Sequence, residues 1–354
     1  MALRLKILKQ LPKFLTEFPE VCKQDKKEEL EIDPALLWTE NDQLDIEYVK
    51  EITWAEPGEA AGFEMLRTYL LERLQYYGTS SYDPSKKHQS FLSPWIHFGQ
   101  ISTQRIALEV VKLKNLWKEQ CERFLNEAII RKEISDNFCL YNPNYDNFEG
   151  AEQWAKSSLD LHRTDKRNFI YTPEQFEKAL THDPIWNSAQ IQLVTEGKLH
   201  GYMRMYWCKK MLEWTESPEK AIEIGLYLND KYSIDGSDPN GFVGVMWSVC
   251  GVHDQGFKER PVFGKIRFMV DYSISKKYDL KTYCSRYRPT ANSEEKTGFE
   301  KKTVDELSEN ELKDQSKESD KLKDHEEINK KKPAKRNNTK KEGGVQSGRK
   351  KRKV

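Results

Sequence analysis

Between about Trp54 and about Tyr283 the apolar positions recur every three or four residues and almost nowhere alternate, which predicts helices rather than strands. In "EAAGFEMLRTYLLERL" the apolar stripe runs through Phe63, Leu66, Tyr69 or Leu70, and Leu74. The stretches "ISTQRIALEVVKL", "ERFLNEAIIRKEI", "TPEQFEKAL" and "SPEKAIEIGLYL" carry the same period. Thr172-Pro173 and Ser217-Pro218 set a capping hydroxyl before a proline at the first helical position, and so mark two helix starts. The run "DGSDPNG" from Asp235 to Gly241 has the punctuation of a turn. With no β-α alternation and no internal repeat, the predicted fold class is mostly α.

The pattern stops after about Arg288. From there the chain has almost no large apolar residues and many opposite charges, so it cannot bury enough surface to offset its ordering entropy and is expected to be disordered. Its clusters "KKKPAKR" and "GRKKRKV" read as nuclear-import signals or as a simply solvated basic tail. A net charge of +1 therefore hides an uneven distribution. The six cysteines, Cys22, Cys121, Cys139, Cys208, Cys250 and Cys284, form no CxxC pair. That spacing argues against a zinc site or a disulfide scaffold and fits a reducing compartment. Leu3–Leu15 is amphipathic and lysine-rich rather than a continuous apolar leader, and Gly241–Val252 is too short to span a bilayer. The expectation is a soluble intracellular protein with no metal and no membrane partner.

One helix concentrates the candidate chemistry. In "GKLHGYMRMYWCKKMLEWTESP", His200, Arg204, Trp207, Met211 and Trp214 fall on one face, with the two tryptophans roughly 10 Å apart along the axis. That spacing alone describes an ordinary core. Arg204 changes the picture, because a buried guanidinium needs an anion such as a carboxylate or a phosphate.

Five collinear pieces, "SFLSPWIHFGQIS", "HDPIWNSAQ", "GKLHGYMRMYW", "YLND" and "DPNGFVGVMWSVCGVHD", resemble the class II cyclobutane-pyrimidine-dimer photolyases of the photolyase/cryptochrome family. The resemblance runs from about Leu5 to about Tyr287. It implies a connector at 1–53, an all-helical FAD-binding catalytic domain at 54–287 and the disordered tail at 288–354. The implied activity is light-dependent DNA repair: FAD, bound non-covalently in a U-shaped pose and active as the reduced anion, donates an electron to a flipped-out dimer.

The resemblance also assigns residues. Three relay tryptophans of the family match Trp186, Trp207 and Trp214, and Tyr171 matches a further electron donor. Arg204 matches a flavin-side arginine, with Asp235 as its expected salt-bridge partner, and Asn229 matches an asparagine beside the flavin's reactive nitrogen. Tyr77, Ser90, Leu92 and Ser93 match contacts to the FAD pyrophosphate, where hydroxyls and free amides before a helix suit an anion. Ser93 also reads as a plain cap before Pro94. Glu127 matches a glutamate that hydrogen-bonds the dimer, although it stands in favourable i,i+4 order to pair with Arg131. Met205 and Trp247 match the apolar walls of the lesion pocket. Asp254, Lys265 and Arg267 are assigned to the DNA face, the two bases taking phosphates. The loop "GVHDQGFKERP" resembles the segment that fills the space left by the flipped bases, but has Gln255 and Phe257 where relatives can carry Arg and Trp. Similarly, "SYDP" at Ser81–Pro84 stands where the family often reads Arg-Asn-Asp-Pro.

Relatives begin with an α/β antenna domain, whereas "LRLKILKQLPKFLTEFPEV" resembles the linker that follows it, so no antenna chromophore is expected in this chain. Leu3, Leu5, Ile7, Leu8, Leu11, Phe14 and Leu15 are expected to cover the face which that domain would otherwise occupy. The implied partners are double-stranded DNA containing dimers and a nuclear import receptor, with a monomer located in the nucleus. Two other functions compete: a cryptochrome-like photoreceptor that keeps FAD but does not repair, and a truncated DNA-binding helical module.

Overall fold

Short acceptor side chains followed by proline start four of the longer or better-capped helices, and they do so for one physical reason. The proline has no N–H to leave unsatisfied, and the preceding side chain takes an amide that the helix cannot. The computed structural model describes residues 2–18 and 49–288, which belong to one compact unit. In chain order they form α1 (Ala2–Phe14), α2 (Glu59–Thr68), α3 (Leu74–Ser80), α4 (Ser93–His97), α5 (Thr103–Lys112), α6 (Lys118–Leu125), α7 (Lys132–Tyr141) and α8 (Gln153–Leu161). There follow α9 (Pro173–Glu177), α10 (Pro184–Glu196), α11 (Gly201–Trp214), α12 (Pro218–Tyr232), α13 (Pro239–Cys250), α14 (Asp271–Ser275) and α15 (Leu280–Arg286). Among the described residues there is no strand, only an isolated bridge between Arg260 and Gly264. The mostly α expectation holds. The tail from residue 289 with both basic clusters, and residues 19–48 of the connector, lie outside the described residues.

Thr172 forms a full capping box with Gln175 ahead of α9, and Ser217 accepts the Lys220 N–H ahead of α12. Asp183 and Asp238 cap α10 and α13 in the same way. The turn read in "DGSDPNG" therefore ends at Asp238, and the helix begins at Pro239. α10 and α13 stop at Gly197 and Gly251, both in the left-handed region, with φ of 59° and 66°.

Two cores result. The smaller gathers Leu66, Tyr69, Leu74, Trp95, Ile106 and Phe124 from α2–α6. The larger packs α8–α13 and α15 around Trp186, Met203, Trp207, Met211, Leu228 and Val249. α13 touches α7, α8, α11 and α12, which makes it the central rod of the larger half. A π turn at Tyr69–Arg73 joins α2 to α3. The wider turn shifts the stripe so that Tyr69, rather than Leu70, becomes the fully buried member.

α1 packs on α7 and on a second π turn, Asn126–Arg131. The expectation that its whole apolar set forms a cover is corrected. Leu3, Ile7, Leu11 and Leu15 are half-buried at four-residue spacing, whereas Leu5, Leu8 and Phe14 are exposed. A helix of 3.6 residues per turn can present only one of its stripes to the body.

Gly251 offers a direct check of this packing. A Cβ there would lie 2.8 Å from Trp154 Cη2, on a backbone that already requires positive φ. Gly251→Ala should cost about 1–3 kcal/mol, read as a lowered urea midpoint at unchanged slope; an unmoved midpoint refutes the close approach.

Candidate functional site

The two cores leave an open cavity of about 190 Å³ between them. Tyr77, Ser90, Ser93, Ile96 and Phe124 line it from the smaller half, and Arg204, Asp235, Asp238 and Gly241 from the larger. Glu127 and Lys132 close one side. A second cavity of about 620 Å³, beneath α1, shares Thr103, Ala128 and Lys132 with the first.

Charge is concentrated on the wall formed by the larger half. Arg204 Nε and Asp235 Oδ1 are fully buried, and neither has a hydrogen-bond partner. The expected Arg204–Asp235 salt bridge is not formed. Lys198 takes that place: its Nζ lies 4.0 Å from Asp235 Oδ2 and donates to Ser93 Oγ at 2.6 Å. The reason is local. Gly197 turns the chain back after α10, and its carbonyl accepts the Ile234 N–H at 2.8 Å, which lays Lys198 alongside Asp235. Burial pushes the Asp235 carboxyl up, but the positive charges of Lys198 and Arg204 and a hydrogen bond from Ser93 outweigh it and hold it below its ordinary value. Burial likewise drives the Lys198 ammonium down, against the pull of Asp235. Ser93 is not the helix cap; that position is Leu92, which is buried and does not line the cavity, and the Ser93 hydroxyl accepts from Lys198.

Asn229 does not line the cavity but sits one layer behind it, buried, with Nδ2 donating to Asp230 Oδ1 at 2.8 Å. Gly241 is what lets it lie so close, since a Cβ there would meet Asn229 Nδ2 at 2.8 Å. Glu127 lies in the π turn, where Arg131 Nε donates to its Oε1 at 3.0 Å. Glu127 thus pairs with Arg131, as its i,i+4 order predicts, and it also lines the cavity. Sequence reasoning missed Lys198, His97, Lys132 and Asp238. Asp238 Oδ2 is 3.6 Å from His97 Nδ1 and 3.8 Å from Lys132 Nζ. The Asp-Pro cap was the available signal for it.

Behind Arg204 the aromatic residues form a continuous row. Trp207 stacks on Trp186 with centroids 6.1 Å apart and planes 10° from parallel. Trp186 meets Trp214 edge-on at 6.3 Å, and Trp214 meets Tyr171 at 5.8 Å. Trp207 and Trp214, seven residues apart on α11, are thus bridged by Trp186 of α10. All three indoles are buried, Trp214 included at 3% exposure.

A third group lies apart from the cavity lining. Arg267 pairs with Asp254 at 3.1 Å and stacks on Phe257 at 4.2 Å and on Trp247 at 5.9 Å. Under the Trp247 ring, at 5.0 Å, lies Lys209 Nζ, which donates to Ser248 O at 2.9 Å. Burial pushes this lysine down to about 7, with Asp254 opposing. Lys265 is tied to α8 through its backbone N–H, which donates to Ser158 Oγ at 2.8 Å, and to the same loop through its carbonyl, which accepts the Phe257 N–H at 2.8 Å. Met205 is half-buried on α11, outside the cavity lining.

No family model matches the chain. It is 48% identical over 288 residues to a deoxyribodipyrimidine photo-lyase of Potorous tridactylus, a match that covers 81% of this chain and 54% of that protein. A protein of the same name in Arabidopsis thaliana is 50% identical over 295 residues, covering 80% and 59%. The chain thus spans a little over half the length of these curated relatives. Among solved structures, a bacterial class III photolyase from Agrobacterium tumefaciens matches with TM-score 0.54 at 18% identity, over 80% of this chain and 57% of that one. A Synechocystis cryptochrome matches with TM-score 0.51 at 16% identity, over 71% and 52%. At those identities the two structures show the shared helical fold alone.

The charged wall has a signed pH signature. A carboxyl held below its unfolded value contributes stability above the unfolded pKa and loses it as pH falls through the folded one. Asp235→Asn should therefore be less stable than the parent at neutral pH, and the gap should close on acidification below the ordinary carboxylate range. Chemical unfolding at a series of pH values checks this; a gap that stays constant into acid removes the role of the Asp235 charge.

Proposed function

The chain belongs to the deoxyribodipyrimidine photo-lyase family, and from that premise we propose that it is a class II type flavoprotein that repairs cyclobutane pyrimidine dimers in DNA under light. The observation that supports this most is the pair of orphaned atoms on the cavity wall, Arg204 Nε and Asp235 Oδ1. A buried donor and a buried acceptor in residues of one cavity lining fit a ring edge that carries both a carbonyl and an N–H, as the isoalloxazine of FAD does. Ser93, with the Lys198 ammonium on its hydroxyl, and Ser90 and Tyr77 offer donors and positive charge for the diphosphate. Reduced FAD bound there would supply the light-excited electron that opens the cyclobutane ring.

The chain's own residues do the rest. Lys198 and Arg204 favour a negatively charged ligand, and Asn229, one layer behind the wall, backs Gly241 with a carboxamide that carries no fixed charge. Glu127 offers a carboxyl to the flipped bases from the π turn, while Met205 and Trp247, outside the lining of that cavity, are the apolar surfaces the resemblance gives to the dimer. Arg267 and Lys265 take backbone phosphates, so binding weakens as salt rises. Trp207, one helical turn from Arg204, begins a path of ring contacts through Trp186 and Trp214 by which electrons move inward. In this reading the chain acts as a monomer, and the basic clusters at 330–336 and 348–354 are grasped by an import receptor that carries it to the nucleus.

The visible spectrum and blue-light repair of a dimer-containing oligonucleotide test the proposal together. FAD should copurify, and Arg204→Ala should weaken its binding by about tenfold or more, as loss of one charged hydrogen bond would. Trp186→Phe, Trp207→Phe and Trp214→Phe should each slow photoreduction of oxidised flavin, and Trp214→Phe should leave repair by pre-reduced protein nearly intact. Flavin without repair would shift the reading to a photoreceptor; a colourless protein that cannot be reconstituted would end it.

A further inference from the structure

Tyr171 closes the outer end of the aromatic row, and the proton it would lose on oxidation has an acceptor already in place. Its ring lies edge-on to Trp214, and its backbone N–H donates to the Trp214 carbonyl at 3.1 Å. The residue is 6% exposed. Burial pushes the phenol above its ordinary pKa, despite the hydrogen bond from the His182 amide, so Tyr171 is a neutral phenol at rest. A phenol that has lost an electron is a strong acid, and a positive charge left on it inside the protein would be poorly solvated. The proton has to leave with the electron.

His182 is built to receive it. Tyr171 Oη lies 2.6 Å from His182 Nδ1, and the backbone N–H of His182 donates to the same oxygen at 3.0 Å. With that amide on a lone pair of the phenol oxygen, the phenolic proton is free to point at the imidazole. The imidazole is clamped in this orientation: it stacks on Phe169 at 3.9 Å and meets Trp214 edge-on at 4.8 Å. Unlike its neighbours in the row, His182 is exposed, so the charge it gains is solvated by water.

We infer that His182 accepts the proton of Tyr171 in a coupled electron and proton transfer that extends the tryptophan relay by one ring. The inference rests on the flavoprotein reading only for its natural oxidant, light-excited oxidised flavin. After an electron has been drawn from Trp214, Tyr171 supplies one electron to the Trp214 radical cation. The phenolic O–H bond breaks, and its proton binds the Nδ1 lone pair of His182. The products are neutral Trp214, a neutral tyrosyl radical and an imidazolium, so one electron and one proton are each accounted for. The positive charge has moved from a buried indole to an exposed ring, which disfavours its return.

The test needs no flavin. Flash oxidation of the full chain by a ruthenium polypyridyl photo-oxidant, with a cobalt(III) complex as sacrificial acceptor, should give a tyrosyl radical by electron paramagnetic resonance and transient absorption. The component of that signal due to Tyr171, above the background from exposed tyrosines such as Tyr141, should be lost in Tyr171→Phe and should rise more slowly in deuterated water. His182→Gln keeps an acceptor for the phenol but has no comparable proton affinity. It should leave the tryptophan radical yield unchanged and slow the Tyr171 radical by about 100-fold, the low end of what a positioned base contributes. In His182→Ala, added imidazole should restore the rate. A parental rate in His182→Gln, or a tyrosyl signal untouched by Tyr171→Phe, overturns the inference. Failure of the flavoprotein reading would show separately, as a chain that binds no flavin while the ruthenium-driven signal still reports on this pair.

Discussion

Lys198, Arg204 and Asp235 stand behind one cavity wall with fewer partners than buried charges require, and the arrangement of the chain around them follows from that shortage. An unpaired charge away from water is strongly unfavourable. Each of the three is therefore held by a backbone feature with little freedom. Gly197 makes the turn that brings Lys198 to Asp235, and there is no room for a side chain on it, since a Cβ would lie 2.6 Å from Ile52 Cδ1. Trp54 Nε1 donates to the Glu196 carbonyl at 2.8 Å and so seals the end of α10 just before that turn. Arg204 is fixed by its place on α11. What remains unsatisfied, one donor and one acceptor, belongs to two residues of the cavity lining, and in the proposed reading a ligand would complete the set.

A second carboxylate does for the aromatic row what Lys198 does for the wall. Asp183 Oδ1 accepts the N–H groups of Ile185 and Trp186 at 2.8 and 3.1 Å, and its Oδ2 accepts the Tyr206 hydroxyl. One side chain thereby caps α10 and ties it to α11, the two helices that carry the three tryptophans. The indole N–H groups are then satisfied from within: Trp186 Nε1 donates to the Trp207 carbonyl and Trp207 Nε1 to Gln190 Oε1, both at 3.0 Å. Rings held by packing and by their polar edges keep their separations, which is what stepwise transfer between them needs.

The parts of this design that are local were legible in the sequence. Helix periods and Pro-preceded caps depend on residues within a few positions of one another, and Thr172, Ser217 and the row members on α11 are where the pattern puts them. The stripe from Phe63 to Leu74 was ambiguous at one position because a π turn, which changes the register, has no signature in the apolar period. Lys198 was overlooked for a related reason. Its meeting with Asp235 is made by a glycine turn across a gap of some 37 residues, and nothing local marks it. Trp186 as the bridge between Trp207 and Trp214 came from family resemblance alone, since helical spacing shows only that the latter two share a face. Ser93 reads as a pyrophosphate contact or a plain cap; the cap position is Leu92, and the Ser93 hydroxyl accepts from Lys198, a long-range contact with no local signature.

α13 connects the two halves of the proposed chemistry mechanically. Near its start is Gly241, on the cavity wall with Asn229 packed directly behind it; six residues later is Trp247, against Lys209 and Arg267. On one straight helix those positions are about 9 Å apart along the axis and cannot drift relative to each other. α13 is in turn wedged among α7, α8, α11 and α12. A ligand seated on the cavity wall and a base resting against Trp247 would then be referred to the same rigid rod, with no loop between the two supports. Electron transfer over such a gap is sensitive to distance, so placing both supports on a single buried helix removes the main source of variation in that distance. It also explains why a lysine is tolerated beneath Trp247: Lys209, hydrogen-bonded to the Ser248 carbonyl of α13 itself, holds the indole against that rod from the inside while Arg267 covers it from the outside.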